Sequence, residues 1–162
     1  SNPSEEEQEA YFTANDAWHA ENQGAYFCNN VWYWHPLWEF VCIACDDVLS
    51  EEAKHKGTFN EGYQYDAETA LIIADRLKEA LAGGSVQVYA EQRQAHLDSL
   101  PLETCNLCNG TGVRDDEYVQ GKCNNCDGTG KVKNWDTHYP FDADNVKEFE
   151  QFCRASGGFQ IC

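Results

Sequence analysis

A chain of 162 residues and 18.3 kDa is long enough for one ordinary domain with a small appendage. Hydrophobic residues make up 42% and aromatics 13%, which excludes wholesale disorder, and no apolar run approaches the ~18 residues of a bilayer span. Twenty-eight acids against 11 bases give a formal charge of −17, so direct nucleic-acid binding and attachment to anionic membranes are not expected.

Residues 1–9 read as a disordered acidic tail without the basic and apolar regions of a secretory signal. Residues 11–34 are rich in Tyr, Trp and Asn and show no decided period. Pro36 suits the first turn of a helix, where its missing N–H has no partner to lose. Leu37, Phe40, Val41, Ala44, Cys45 and Val48 follow at three-and-four spacing as an apolar face. Ser50 caps a short helical turn that Gly57 stops, and Gly57-Thr58-Phe59-Asn60-Glu61-Gly62 reads as a loop. Asp66 opens the clearest helix. Ala70, Ile73, Ala74, Leu77 and Leu81 form its buried stripe, Asp75, Arg76, Lys78 and Glu79 face water, and Gly83-Gly84 ends it. Ser85 opens a further helix that Pro101 halts. Asp144 caps a last helix with Val146, Phe149, Phe152 and Cys153 on one face. Gly157-Gly158 then leads into a short terminal strand from Phe159 to Cys162.

Residues 103–133 break this pattern, with few apolar side chains, many Gly and Asn, and four cysteines. Such a segment cannot bury a core of its own. The predicted architecture is α+β: a mainly α-helical body of residues 10–100 plus 136–162, with an inserted zinc-bound β-hairpin over 103–133.

Nine cysteines, an odd number without a secretory pattern, argue for metal or redox chemistry in a reducing, cytoplasmic compartment rather than for disulfides. Cys105-Asn106-Leu107-Cys108-Asn109-Gly110-Thr111-Gly112 returns 18 residues later as Cys123-Asn124-Asn125-Cys126-Asp127-Gly128-Thr129-Gly130. Two C-x-x-C pairs with 14 residues between them can place four thiolates tetrahedrally around one Zn²⁺. Cys105, Cys108, Cys123 and Cys126 are therefore the expected ligands of one Zn²⁺ per chain. Such a metal contributes ~10 kcal/mol or more to a segment without a core, a structural role.

The C-x-x-C-x-G-x-G repeat resembles the cysteine-rich zinc domain of the DnaJ (Hsp40) chaperone family. Members of that family typically carry four repeats and two zincs, where this chain has two repeats, enough for one. The resemblance implies an extended β-hairpin that helps bind non-native polypeptide and has been linked to thiol chemistry. It also implies that Gly110, Gly112, Gly128 and Gly130 are structural glycines. It covers about 30 residues, and no J-domain accompanies it: His35-Pro36-Leu37 lacks the acid of the His-Pro-Asp signature, and there is no Gly/Phe linker.

Cys42-Ile43-Ala44-Cys45 lies in a predicted helix, where i and i+3 share a face. Three readings stay open for it: small buried apolar residues, a second metal site with Cys153, Cys28, Cys162 or His35, or a redox dithiol. Six aromatics crowd residues 26–38, expected mainly as core and otherwise as a binding patch. No Ser/His/Asp arrangement, phosphate loop, H-E-x-x-H or catalytic carboxylate pair is present, so no catalytic residue is named and no enzymatic activity is expected.

The function predicted first is a zinc-binding protein-interaction protein, of chaperone-like kind, with a protein partner; the oligomeric state stays open. An alternative rests on residues 1–61, which hold 12 acids against Lys54 and Lys56 alone. Such a surface could act as an acidic decoy, of the phage type, that occupies a nucleic-acid-binding protein. A third reading is a thiol oxidoreductase using Cys42 and Cys45.

Overall fold

The computed structural model describes residues 4–162. In chain order its elements are α1 (Glu5–Glu21), α2 (Val31–Ala44), α3 (Glu51–Phe59), β1 (Gln64–Tyr65), α4 (Ala67–Ala82), α5 (Ser85–Ser99), β2 (Glu103–Thr104), β3 (Val113–Asp115), β4 (Gln120–Lys122), β5 (Lys131–Val132), a 3-10 turn (Trp135–His138), α6 (Ala143–Ser156) and β6 (Phe159–Gln160). This is an α+β, mainly helical architecture, 56% helical, with small two-stranded sheets. The chain divides into two units, residues 1–90 with 141–162 and residues 91–140. The division is wider than the expected hairpin over 103–133, because the end of α5 and the 3-10 turn belong to the cysteine-bearing unit.

In the first unit, α1 occupies most of the segment expected as a disordered tail; residues 1–3 lie outside the described residues. A capping box starts it. The Ser4 hydroxyl accepts the Glu7 N–H at 3.3 Å, and the Glu7 carboxylate accepts the Ser4 N–H at 2.7 Å. Glu5, Glu6 and Glu7 occupy the first turn, where negative charge complements the exposed N–H groups.

α2 begins five residues earlier than expected, because the Asn30 side chain accepts the Tyr33 N–H at 3.2 Å. Pro36 consequently lies inside the helix and not in its first turn. An interior proline costs about 3 kcal/mol or more. Continuing the helix through it places Trp34, Leu37, Trp38 and Val41 in the core. Two indoles alone bury some 400 Å², worth roughly 10 kcal/mol, so packing wins.

α3 likewise runs through Gly57 to an Asn60 cap in the left-handed region. The glycine serves proximity instead of termination: a Cβ there would run into the Trp38 indole. The Trp34 indole N–H donates to the Gly57 carbonyl at 2.9 Å, and that of Trp38 to Lys54 at 3.0 Å.

The core of this unit is centred on α4 against α6, which pack more extensively than any other helix pair. Ala70, Ile73, Ala74 and Leu77 of α4 are fully buried, with Leu81 half-buried at the end of the stripe. They meet Val146, Phe149, Phe152 and Cys153 of α6. Asp142, not the expected Asp144, caps α6, accepting the Asp144 N–H at 2.9 Å. β1 and β6 pair antiparallel, Gln64 opposite Gln160 and Tyr65 opposite Phe159, with the two rings stacked at 4.8 Å.

The second unit holds β2 paired with β5 and β3 paired with β4, both antiparallel. Its buried apolar side chains are Leu97 and the four cysteines of the repeats, with Val132 half-buried beside the sulfurs.

Candidate metal centre

Each repeat folds into the same tight turn. In the first, the Gly110 N–H donates to the Cys105 carbonyl at 3.1 Å and the Thr111 N–H to the Cys108 carbonyl at 3.0 Å; in the second, Gly128 and Thr129 make the corresponding bonds to Cys123 and Cys126 at 3.1 and 3.0 Å. Thr111 and Thr129 also bridge with their hydroxyls, each donating within 2.6–2.9 Å of a cysteine carbonyl and of the carbonyl two residues on. The two turns clasp one another: the Cys105 N–H donates to the Gly130 carbonyl at 3.0 Å, and the Cys123 N–H to the Gly112 carbonyl at 2.9 Å. Gly112 and Gly130 are required where they stand. Both have φ near +75°, and a Cβ on either would strike the backbone of the opposite repeat, at Gly128 and Gly110 respectively.

This pseudo-two-fold pair brings the four sulfurs together. Cys105 Sγ lies 3.9 Å from Cys123 Sγ, and Cys108 Sγ 3.7 Å from Cys126 Sγ, all four lying within 4.8 Å of one another and all four buried. A tetrahedron of thiolates about 2.3 Å from a central ion has edges of about 3.8 Å, so the spacing fits a four-coordinate metal. The charge of the thiolates is met by N–H groups. Gly112 donates to Cys108 Sγ at 3.3 Å, Gly130 to Cys126 Sγ at 3.2 Å, and the Asn125 side-chain amide to Cys105 Sγ at 3.3 Å.

Asn125 breaks the symmetry. The equivalent position in the first repeat is Leu107, which is exposed and carries no donor for Cys123. The Asn125 bond is the chief reason the Cys105 thiol is lowered to about 6, outweighing burial, with the backbone of Cys108 and Leu107 assisting. At Cys108 burial opposes ionisation, and the Gly112 and Gly110 N–H groups carry the thiol below its ordinary value. At Cys126 burial prevails over the Gly130 N–H, and the thiol is raised.

The β3–β4 hairpin between the repeats is closed by Asp116. It accepts the N–H groups of Tyr118 and Val119, each at 2.9 Å, and pairs with the Arg114 Nε at 2.6 Å.

Among the described residues these four cysteines are the only group of three or more His, Cys, Asp or Glu side chains that converges in this way. Cys42, Cys45, Cys153, Cys28, Cys162 and His35, the candidates for a second site, form no such cluster. Cys45 and Cys153 are buried in the helical core and Cys42 is half-buried. Burial pushes Cys42 up to about 12 and Cys45 up to about 11, and raises Cys153 as well. Disulfide exchange needs the opposite, an accessible thiolate. Of the aromatics in 26–38, Trp34 and Trp38 are core, while Tyr26 and Tyr33 are exposed.

Asn125 is the functional residue that sequence reasoning passed over. Its signal was the mismatch with Leu107 in otherwise parallel repeats. No helix among the described residues is long and apolar enough to cross a membrane. No protein-family model, curated protein or solved structure shows significant similarity to the chain.

Proposed function

We propose that the chain is a zinc-stapled protein-interaction module of the DnaJ cysteine-rich type, non-catalytic, with Zn²⁺ in a structural role and a protein as partner. The observation that carries this reading is the convergence of four buried sulfurs at tetrahedral spacing in a unit whose other buried apolar side chains are few. All-thiolate sites favour zinc among the available divalent ions, and a closed four-ligand set leaves no open position for chemistry. The repeated glycines, at the positions that the DnaJ-type pattern gives them, support the family reading.

Metal analysis of the purified chain tests it, with one zinc per chain expected. Replacing Cys105 and Cys123 together by Ser removes the zinc, and with it the ability to hold a non-native polypeptide in solution. Full zinc content or unchanged client binding in that variant overturns the reading.

A second reading, the acidic decoy, draws on α1, whose Glu5, Glu6, Glu7, Glu9, Asp16 and Glu21 are all exposed. It requires binding to a nucleic-acid-binding protein that weakens steeply with salt and yields to competing DNA.

A further inference from the structure

Five cysteines lie outside the metal centre, and three of them, Cys42, Cys45 and Cys153, belong to the packed interior of the first unit. The exposed pair is Cys28 and Cys162. Remote in sequence, they line one cleft of about 340 Å³ whose floor is aromatic.

The two walls of the cleft share that floor. The Phe27 ring, next to Cys28, lies 5.0 Å from Phe149 and 5.7 Å from Phe152; the Phe159 ring, on the strand leading to Cys162, lies 5.8 and 5.5 Å from the same two. A residue next to each thiol is tied to another element. Beside Cys28, the Asn29 side-chain amide donates to Asn145 Oδ1 at 2.8 Å. Beside Cys162, the Ile161 carbonyl accepts the Gly62 N–H at 2.9 Å.

We propose that Cys28 and Cys162 are a reactive thiol pair that closes into a disulfide across this cleft by exchange with a low-molecular-weight disulfide such as oxidised glutathione. The Cys28 thiolate attacks one sulfur of oxidised glutathione, whose S–S bond breaks and releases one glutathione thiolate. The Cys162 thiolate, its proton given to solvent, attacks the Cys28 sulfur of the mixed disulfide and expels the second. The protein loses two electrons and two protons, and the oxidised glutathione is reduced to two thiols. The bond fastens the segment around Cys28 to the residues beyond β6. An exposed disulfide of this kind is labile, so it forms as the oxidised share of the glutathione pool rises and opens as it falls. The inference is independent of the metal reading, since it uses neither repeat.

The test incubates the full zinc-loaded chain with oxidised glutathione and follows intact mass, zinc content and proteolytic fragments. The expected product is about 2 Da lighter than the reduced chain. It retains its zinc, and its fragment 155–162 is joined to the fragment bearing Cys28. Cys28→Ser and Cys162→Ser each stop at a single mixed disulfide on the remaining thiol. A wild-type chain that stays unmodified, that stops at glutathione adducts, or that links through Cys42, Cys45 or Cys153 overturns the proposal.

Discussion

Replacing Asn125 by Leu tests the metal centre at the one place where its two halves differ. Leu107 already occupies the equivalent position in the first repeat, so the turn accepts leucine without backbone adjustment. What is lost is the amide hydrogen bond to Cys105 Sγ at 3.3 Å. Removing a hydrogen-bond partner of a metal ligand typically weakens affinity about 10- to 100-fold, and that range is expected here. The same amide chiefly accounts for the lowered Cys105 thiol, so without it protons compete at higher pH and the deficit grows as the solution is acidified. The reciprocal change, Leu107→Asn, offers Cys123 a donor it lacks and strengthens binding by a comparable factor. Competition against a chromophoric zinc chelator across a pH series reads both constants, and circular dichroism at saturating zinc checks that the fold is retained. Affinities within twofold of the parent in both variants would refute the argument that this bond tunes the site.

Gly57→Ala opposes two effects of known sign. Helix propensity favours alanine by about 0.5–1 kcal/mol, while the new methyl meets the Trp38 indole, and overpacking costs about 1–3 kcal/mol. The net is destabilisation, read from urea unfolding followed by tryptophan fluorescence; an alanine variant as stable as the parent contradicts the packing. Cys42 and Cys45, raised to about 12 and about 11 by burial, stay protonated near neutrality, so iodoacetamide labels them slowly in the folded chain and rapidly in urea. Because their folded values lie above the ordinary 9.0, the stability they contribute is complete below about pH 9 and is lost as pH rises through 11 and 12. Stripping the metal with a strong chelator removes hydrogen-exchange protection from the Cys105 and Cys123 amides, while the indole N–H groups of Trp34 and Trp38, bonded within the helical core, keep theirs.

The parts of the molecule most legible in the sequence were those in which one residue type has one job. Paired cysteines with glycines behind them announce a metal turn, and the stripe Ala70, Ile73, Ala74, Leu77 announces a buried helical face, whatever surrounds them. Residues with two competing uses were misread. Pro36 and Gly57 end helices in isolation, yet here the burial of two indoles makes one tolerable and the other necessary. The acidic run at Glu5–Glu7 reads as a tail by composition, although Ser4 and Glu7 stand at the spacing of a reciprocal cap, a local signal that charge counting hides. The cleft between Cys28 and Cys162 was beyond reach, since it depends on which aromatic rings share a floor, and no pattern within either segment encodes that.

The first unit is discontinuous in sequence, and this has a consequence for how the chain is made. α4 leaves the ribosome after α2 but without α6, the helix it packs against most extensively, which follows about 60 residues later. At ~5–20 residues per second the wait is roughly 3–12 s. Within it the whole of 91–140 emerges and can close on its metal, since both repeats lie inside that stretch. The contiguous unit is therefore fully synthesised before the discontinuous one. Until Phe149 and Phe159 arrive, the core of the first unit lacks the side chains that complete it.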